Sequence, residues 1–115
     1  MSDSSQQLVW LAVADQEEVG DHLLACDAGK LRLVLFRKKD GQPVALRDEC
    51  WHKYFPLSNG TLSNDQVTCA YHGLSFDAEG RCVKARAGPP PPGACVQAFQ
   101  VKEAEGHVWV QVPEA

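Results

Sequence analysis

Two short clusters of ligand-type residues, Cys50-Trp-His52 and Cys69-Ala-Tyr-His72-Gly73, constrain this chain more than any other feature. Sixteen residues separate His52 from Cys69, so the two clusters belong to different loops. Each offers one thiolate and one imidazole, soft and borderline ligands that suit zinc or iron-sulfur chemistry and not calcium or magnesium. The order of ligands separates those two metals. A two-Cys two-His zinc finger usually gives both cysteines first and both histidines afterwards. Here each loop carries one of each, which suits a pair of irons clamped from opposite sides, each loop giving one ligand to each iron.

The residues around the clusters extend the pattern. Leu33-Val-Leu-Phe-Arg37, Asp40-Gly41, Val44-Ala-Leu-Arg-Asp-Glu-Cys50, Pro56-Leu-Ser58, Gly60, Tyr71-His-Gly73 and Phe76-Asp77, with the two ligand clusters, resemble the Rieske iron-sulfur family. They resemble in particular the Rieske domain of bacterial oxygenases that attack aromatic rings or remove O-methyl groups. The resemblance runs from Trp10-Leu-Ala-Val-Ala14 to Gly106-His-Val-Trp-Val110. It implies a Rieske-type 2Fe-2S cluster, with Cys50 and Cys69 on one iron and His52 and His72 on the other. It also implies an all-β Rieske fold, a small antiparallel β-sheet sandwich with a two-loop cluster-binding subdomain at about 48–77, and residues 1–115 as a single domain. Two positions depart from the family pattern: Trp51 stands where Pro is usual, and Lys53 where oxygenases usually have Arg.

The charge of such a cluster bears on its potential. Two ferric ions, two sulfides, two thiolates and two neutral imidazoles sum to zero, so an added electron meets less repulsion than in an all-thiolate site. Rieske centres accordingly span about -150 to +300 mV, above plant-type ferredoxins. Hydrogen bonds to the sulfurs raise the value further. In the high-potential members of the family, a Ser and a Tyr in the second loop supply such hydroxyls, and an extra cysteine in each loop forms a disulfide. The corresponding positions here are Leu74 and Phe76, and Phe55 and Tyr71. The expectation is a low-potential centre at about -200 to -50 mV. The second ring nitrogens of His52 and His72 would lose protons more readily on oxidised iron, so the potential would fall as pH rises.

A chain of 115 residues with 44% hydrophobic and 23% charged residues fits an ordinary globular domain. No stretch approaches a membrane span, and the N-terminus carries neither a signal peptide pattern nor a twin-arginine signal, so the expected compartment is the cytoplasm. A net charge of -4 argues against a nucleic-acid partner. Beyond the two cluster cysteines, Cys26, Cys82 and Cys95 are expected to be small buried thiols. His22 and His107 lack ligand spacing and read as surface or strand residues.

Local patterns place the loops on strands. Leu8–Val13 reads as a first strand, and Asp15-Gln-Glu-Glu18 as a capped turn of helix. Leu31–Arg37 reads as a strand covered on both faces, turning at Asp40-Gly41 into Val44–Arg47, which runs into Cys50. Asn59-Gly60 and Asn64-Asp65 are turn pairs, Val67–Ala70 leads into the second cluster, and Leu74–Asp77 and Arg81–Val83 flank a hairpin turn. Val96–Val101 and His107–Val112 are expected to close the chain around Glu105-Gly106. Gly88-Pro-Pro-Pro-Pro-Gly93 reads as a stiff third loop beside the cluster, or else as an exposed spacer. Tyr54, Phe55, Tyr71 and Phe76 are candidates for cluster cover or ordinary core aromatics, and Lys53, Lys84 and Arg86 for a basic rim facing an acidic partner.

These features favour a one-electron carrier: a free-standing ferredoxin or electron-transfer subunit, with an electron-donor reductase and a terminal oxygenase, or a fused catalytic domain, as partners. The start and the ending at Val110-Gln-Val-Pro-Glu-Ala115 lean towards the free-standing form. An N-terminal Rieske domain cut from an oxygenase large subunit or a fused reductase is the alternative. The resemblance assigns no catalytic residue, because the mononuclear iron of such oxygenases needs two histidines and a carboxylate and only His107 remains after His72. A small subunit of a reductase for nitrite or another inorganic substrate would also be an electron carrier. A zinc-stabilised interaction module would be colourless, which separates it from all of these.

Overall fold

The computed structural model describes residues 7–50, 55–70, 73–85 and 88–113. Its strands are β1 (Leu8–Asp15), β2 (Leu24–Ala28), β3 (Leu31–Arg37), β4 (Pro43–Arg47), β5 (Thr61–Ser63), β6 (Gln66–Thr68), β7 (Ser75–Phe76), β8 (Cys82–Lys84), β9 (Ala98–Phe99), β10 (Val101–Ala104) and β11 (His107–Pro113). All pairings are antiparallel. They form three sheets, in the orders β1-β11-β10, β2-β3-β4-β9 and β5-β6-β7-β8.

Alternation along β3 and β4 organises the layers. Successive side chains of a strand point to opposite faces, so Val34, Phe36, Val44 and Leu46 enter one core while Leu33, Leu35 and Ala45 enter another. The second core is closed by Val108, Val110 and Val112 of β11, with Val9, Leu11 and Val13 of β1 packed against it. The first is closed by Val67 of β6 and Phe76 of β7, with Leu62 of β5 alongside. The β2-β3-β4-β9 sheet is therefore the middle layer, and β3 is covered on both faces as its sequence requires.

Polar stitches fix the outer sheets to the middle one. Arg37, at the end of β3, donates through Nε to the Val19 carbonyl (2.8 Å), through Nη1 to the Gly41 carbonyl (2.8 Å), and through Nη2 to the Gln16 carbonyl (3.1 Å). Its fork also grips Glu103 of β10 at 3.0 and 3.1 Å. On the other side, the Lys39 backbone N–H donates to Asp65 Oδ1 and its Nζ to Asn64 Oδ1, both at 3.0 Å. Asn64 and Asp65 have φ of 52° and 62°, the left-handed geometry that a two-residue hairpin loop needs and that Asn and Asp tolerate best.

Several expectations are met at the level of elements. The Asp15 cap precedes a 3-10 turn at Gln16–Glu18, with the Asp15 N–H bonded to Glu18 Oε1 at 2.9 Å. The closing strands differ from expectation. Val96–Val101 is not one strand: β9 pairs with β4, whereas β10 forms the hairpin with β11 around Glu105-Gly106. The break at Gln100 lets the chain leave the middle sheet for an outer one, a tertiary choice with no local signature. Strands β2 and β5 carry too few β-branched or aromatic residues to announce themselves.

Candidate functional site

Cys50 and Cys69 sit where the middle sheet meets the β5-β6-β7-β8 sheet. Strand β4 hands the chain to Cys50, and β6 hands it to Cys69. Both cysteines are 1% exposed and lie in the same buried cluster, among Val34, Phe36, Leu57, Val67, Leu74 and Phe76. His52 and His72 lie outside the described residues, as do Trp51, Lys53, Tyr54, Tyr71 and Arg86. Of the four expected ligands, the described structure thus brings together the two thiols.

The two loops share one closing geometry. The Cys50 N–H donates to the Phe55 carbonyl at 2.9 Å, and the Cys69 N–H donates to the Leu74 carbonyl at 2.8 Å. Each hydrogen bond joins a cysteine to the residue five positions on, so each loop is pinched at a neck that starts with its thiol. In the second loop the Gly73 N–H also donates to the Cys69 carbonyl at 3.1 Å, with Gly73 at φ 73°, a conformation that a side chain would oppose.

Side chains brace the necks below these bonds. Asp48, 7% exposed, accepts the Ser58 N–H at Oδ1 and the Ser58 hydroxyl at Oδ2, both at 2.7 Å. Across the second neck, Thr68 Oγ1 and Ser75 Oγ lie 2.7 Å apart. The necks also touch each other through the chain between them: a Cβ on Gly60 would lie 1.9 Å from the Thr68 carbonyl oxygen. Sequence patterns missed both braces, because the partners are ten and seven residues apart and meet only once each loop has closed.

Other expected features separate. Phe76 is fully buried in the core behind the loops, whereas Phe55 is 36% exposed at the end of the first loop. Leu74 is buried beside the second cysteine, and neither Leu74 nor Phe76 can donate a hydrogen bond from its side chain. Lys84 is exposed on β8, while the other two members of the expected basic rim lie outside the described residues. The proline segment is exposed at Gly88, Pro89, Pro92 and Gly93 and half-buried at Pro90 and Pro91, and the chain re-enters the core at Ala94 and Val96. His107 is an exposed strand residue with Nδ1 3.0 Å from Asp15 Oδ1, and His22 is exposed.

The remaining cysteines correct one expectation. Cys95 is exposed and Cys26 and Cys82 are only half-buried, none of them in a disulfide. Ala94 and Val96 take the inward positions around Cys95 and leave its thiol outside. Burial, with the Asp27, Asp48 and Glu18 carboxylates adding to it, pushes the Cys26 thiol up to about 11, which makes it a poor nucleophile at neutral pH.

A thiol from each of two closed loops, both buried in one apolar core cluster, fits a group that takes two thiolates on one iron. Comparison with known proteins agrees. The family model described as "Rieske [2Fe-2S] domain" matches residues 9–104. The oxygenase component of dicamba O-demethylase from Stenotrophomonas maltophilia is 37% identical over 103 residues, covering 88% of this chain and 30% of that protein. The oxygenase component of chloroacetanilide N-alkylformylase from Rhizorhabdus wittichii is 36% identical over 104 residues, covering 90% of this chain and 30% of that protein. The crystal structure of dicamba monooxygenase bound to dicamba superposes with a TM-score of 0.84 at 36% identity, over 93% of this chain and 32% of that one. This chain spans less than a third of the length of these proteins.

Proposed function

This chain belongs to the Rieske 2Fe-2S domain family, and from that premise we propose that it passes single electrons within an oxygenase system through a low-potential cluster. Membership of the family implies a Rieske-type 2Fe-2S cluster, which when bound supplies a one-electron couple. Cys50 and Cys69 are its thiolate ligands and His52 and His72 its imidazole ligands. The observation that carries this reading is the matched pair of loops, each pinched at its cysteine and each burying that cysteine in the same core.

The chain's own residues have separable tasks. The pinched necks hold the thiols before the metal arrives, and the apolar residues around them exclude water. Leu74 and Phe76 withhold the hydroxyl donors that raise the potential, which is the basis for a low value. The electron donor is a reductase and the acceptor an oxygenase centre, in keeping with relatives that are oxygenase components. Among the described residues no helix is long and apolar enough to cross a membrane. The unbridged thiols of Cys26, Cys82 and Cys95 suit a reducing compartment, and we place the protein in the cytoplasm.

A second reading keeps the same chemistry but makes residues 1–115 the electron-entry domain of a longer oxygenase, with catalysis elsewhere in that protein. The coverage of 30% of each oxygenase component favours it over a free-standing ferredoxin. The mass of the native protein, detected in cells with an antibody to this domain, separates the two.

The test of the common reading is a redox titration of the purified protein followed by electron paramagnetic resonance. A Rieske-type signal with a midpoint below zero is expected. A midpoint well above zero overturns the role given to Leu74 and Phe76, and zinc in place of iron in freshly isolated protein overturns the electron-carrier reading.

A further inference from the structure

The two necks are built alike except in one respect. Each is pinched by a cysteine N–H bonded to a carbonyl five residues on, and each is braced from below by a side-chain pair. The brace of the second loop is a pair of hydroxyls, Thr68 and Ser75, neutral in every state of the protein. The brace of the first is the Asp48 carboxylate, 7% exposed, with one oxygen on the Ser58 N–H and the other on the Ser58 hydroxyl. A surface carboxylate would serve equally well for solubility. A buried one is costly unless something compensates it, and here it is held by two donors from the far leg of the same loop.

We propose that Asp48 and Ser58 form a charged latch that positions the first loop and lowers the reduction potential of the cluster that the loop holds. This rests on the functional reading above, in which Cys50 is a ligand. The latch joins the residue two before Cys50 to the segment at Leu57–Asn59, so it fixes both legs of the loop at once. Its charge acts separately from its geometry. A fixed negative charge in a poorly solvated site opposes the arrival of an electron nearby, and the opposition is stronger than it would be in water. Ser58 moderates that charge, because a hydroxyl donating to a carboxylate draws its electron density away from the surroundings. Asp48 and Ser58 are therefore positioning residues with opposite electrostatic effects, a combination that a purely structural brace lacks.

The opposition gives the test. Redox titrations by electron paramagnetic resonance are run on the whole chain and on Asp48→Asn and Ser58→Ala, with iron and sulfide measured in each. Asp48→Asn keeps an oxygen for the Ser58 N–H but loses the charge, and its midpoint is expected to move up. Ser58→Ala keeps the charge and loses the moderating donor, and its midpoint is expected to move down. Both variants are expected to release iron to a chelator several-fold faster than the unaltered chain. A midpoint for Asp48→Asn that stays in place or falls, in protein with full iron and sulfide, overturns the proposal, as does a rise or no change in Ser58→Ala. If Asp48→Asn holds no cluster, Ser58→Ala decides: a fall supports the latch, and a rise or no change overturns it. The unaltered chain is read first, and the absence of a Rieske-type signal there is a failure of the functional reading and not of the latch.

Discussion

On one face of the β2-β3-β4-β9 sheet, the core is closed by two long strands, β1 of eight residues and β11 of seven, and among the described residues its buried side chains are all hydrocarbon. On the other face, the covering strands have three, three, two and three residues, and the core they close includes Cys50 and Cys69. The same two strands, β3 and β4, serve both faces. The difference lies in how much backbone each cover fixes for itself. A long ladder brings its own hydrogen bonds and a continuous apolar stripe, whereas short strands joined by ligand loops leave much of their order to whatever the loops hold. Metal binding of that kind is folding free energy, and regions with little secondary structure of their own are the ones that open first. The comparison makes one face of the molecule a self-sufficient scaffold and the other a lobe completed by its cofactor.

The strongest way to break this comparison is to remove a thiol. Cys50→Ser or Cys69→Ser is expected to abolish the cluster's visible absorption. Amide exchange is then expected to speed up in β5 to β8 while β1, β3 and β11 keep their protection. Equal loss on both faces would mean that the scaffold also depends on the cofactor.

Neighbouring substitutions on β3 sharpen it further, because Leu35 and Phe36 point to opposite cores. Phe36→Ala is expected to cost about 3–5 kcal/mol and Leu35→Ala about 2–5 kcal/mol in denaturant unfolding. Only Phe36→Ala should also hasten iron release at denaturant concentrations well below the unfolding transition. Similar release rates for the two would argue that the cores are one cooperative unit.

Gly60→Ala probes the junction between the loops. The added Cβ would meet the Thr68 carbonyl oxygen at 1.9 Å and the Leu57 carbonyl oxygen at 3.2 Å, both backbone atoms. Overpacking of this kind costs about 1–3 kcal/mol, and it falls next to Cys69. Thermal melts should show the loss, with cluster bleaching preceding scaffold unfolding; a variant as stable as the unaltered chain would show that the loops can slide apart.

The smallest effect belongs to the scaffold side. Hydrogen bonding from Arg37, helped by its charge and by Gln16, holds the Glu103 carboxyl below the usual carboxylate range. A lowered folded value means that this stabilisation is present above the unfolded carboxylate pKa of about 4.3 and is lost as pH falls through the folded value. The pair is partly solvated, with side chains 22% and 28% exposed, so screening limits it to about 1 kcal/mol or less. Glu103→Gln is expected to lower stability slightly at pH 7 and to converge with the unaltered chain once the pH has fallen below the lowered folded value, with cluster absorption at pH 7 unchanged. A potential altered by Glu103→Gln would contradict the separation of the two faces.

Much of this was open to reading in the chain itself. The spacing of Cys50, His52, Cys69 and His72, with Gly73 after the last, points to a mixed-ligand iron-sulfur site because ligand order is a local property of two short segments. The doubly covered strand Leu31–Arg37 and the Val108, Val110 and Val112 stripe are legible for the same reason: alternation is written residue by residue. What tertiary structure decided were the meetings between distant residues. The switch from β9 to β10 at Gln100, the exposure of Cys95, the Arg37–Glu103 stitch and the Asp48–Ser58 brace all depend on which segments come to lie side by side. A side chain's type is fixed by its position in the chain, but its hydrogen-bond partner and its share of solvent are fixed only when the sheets have packed.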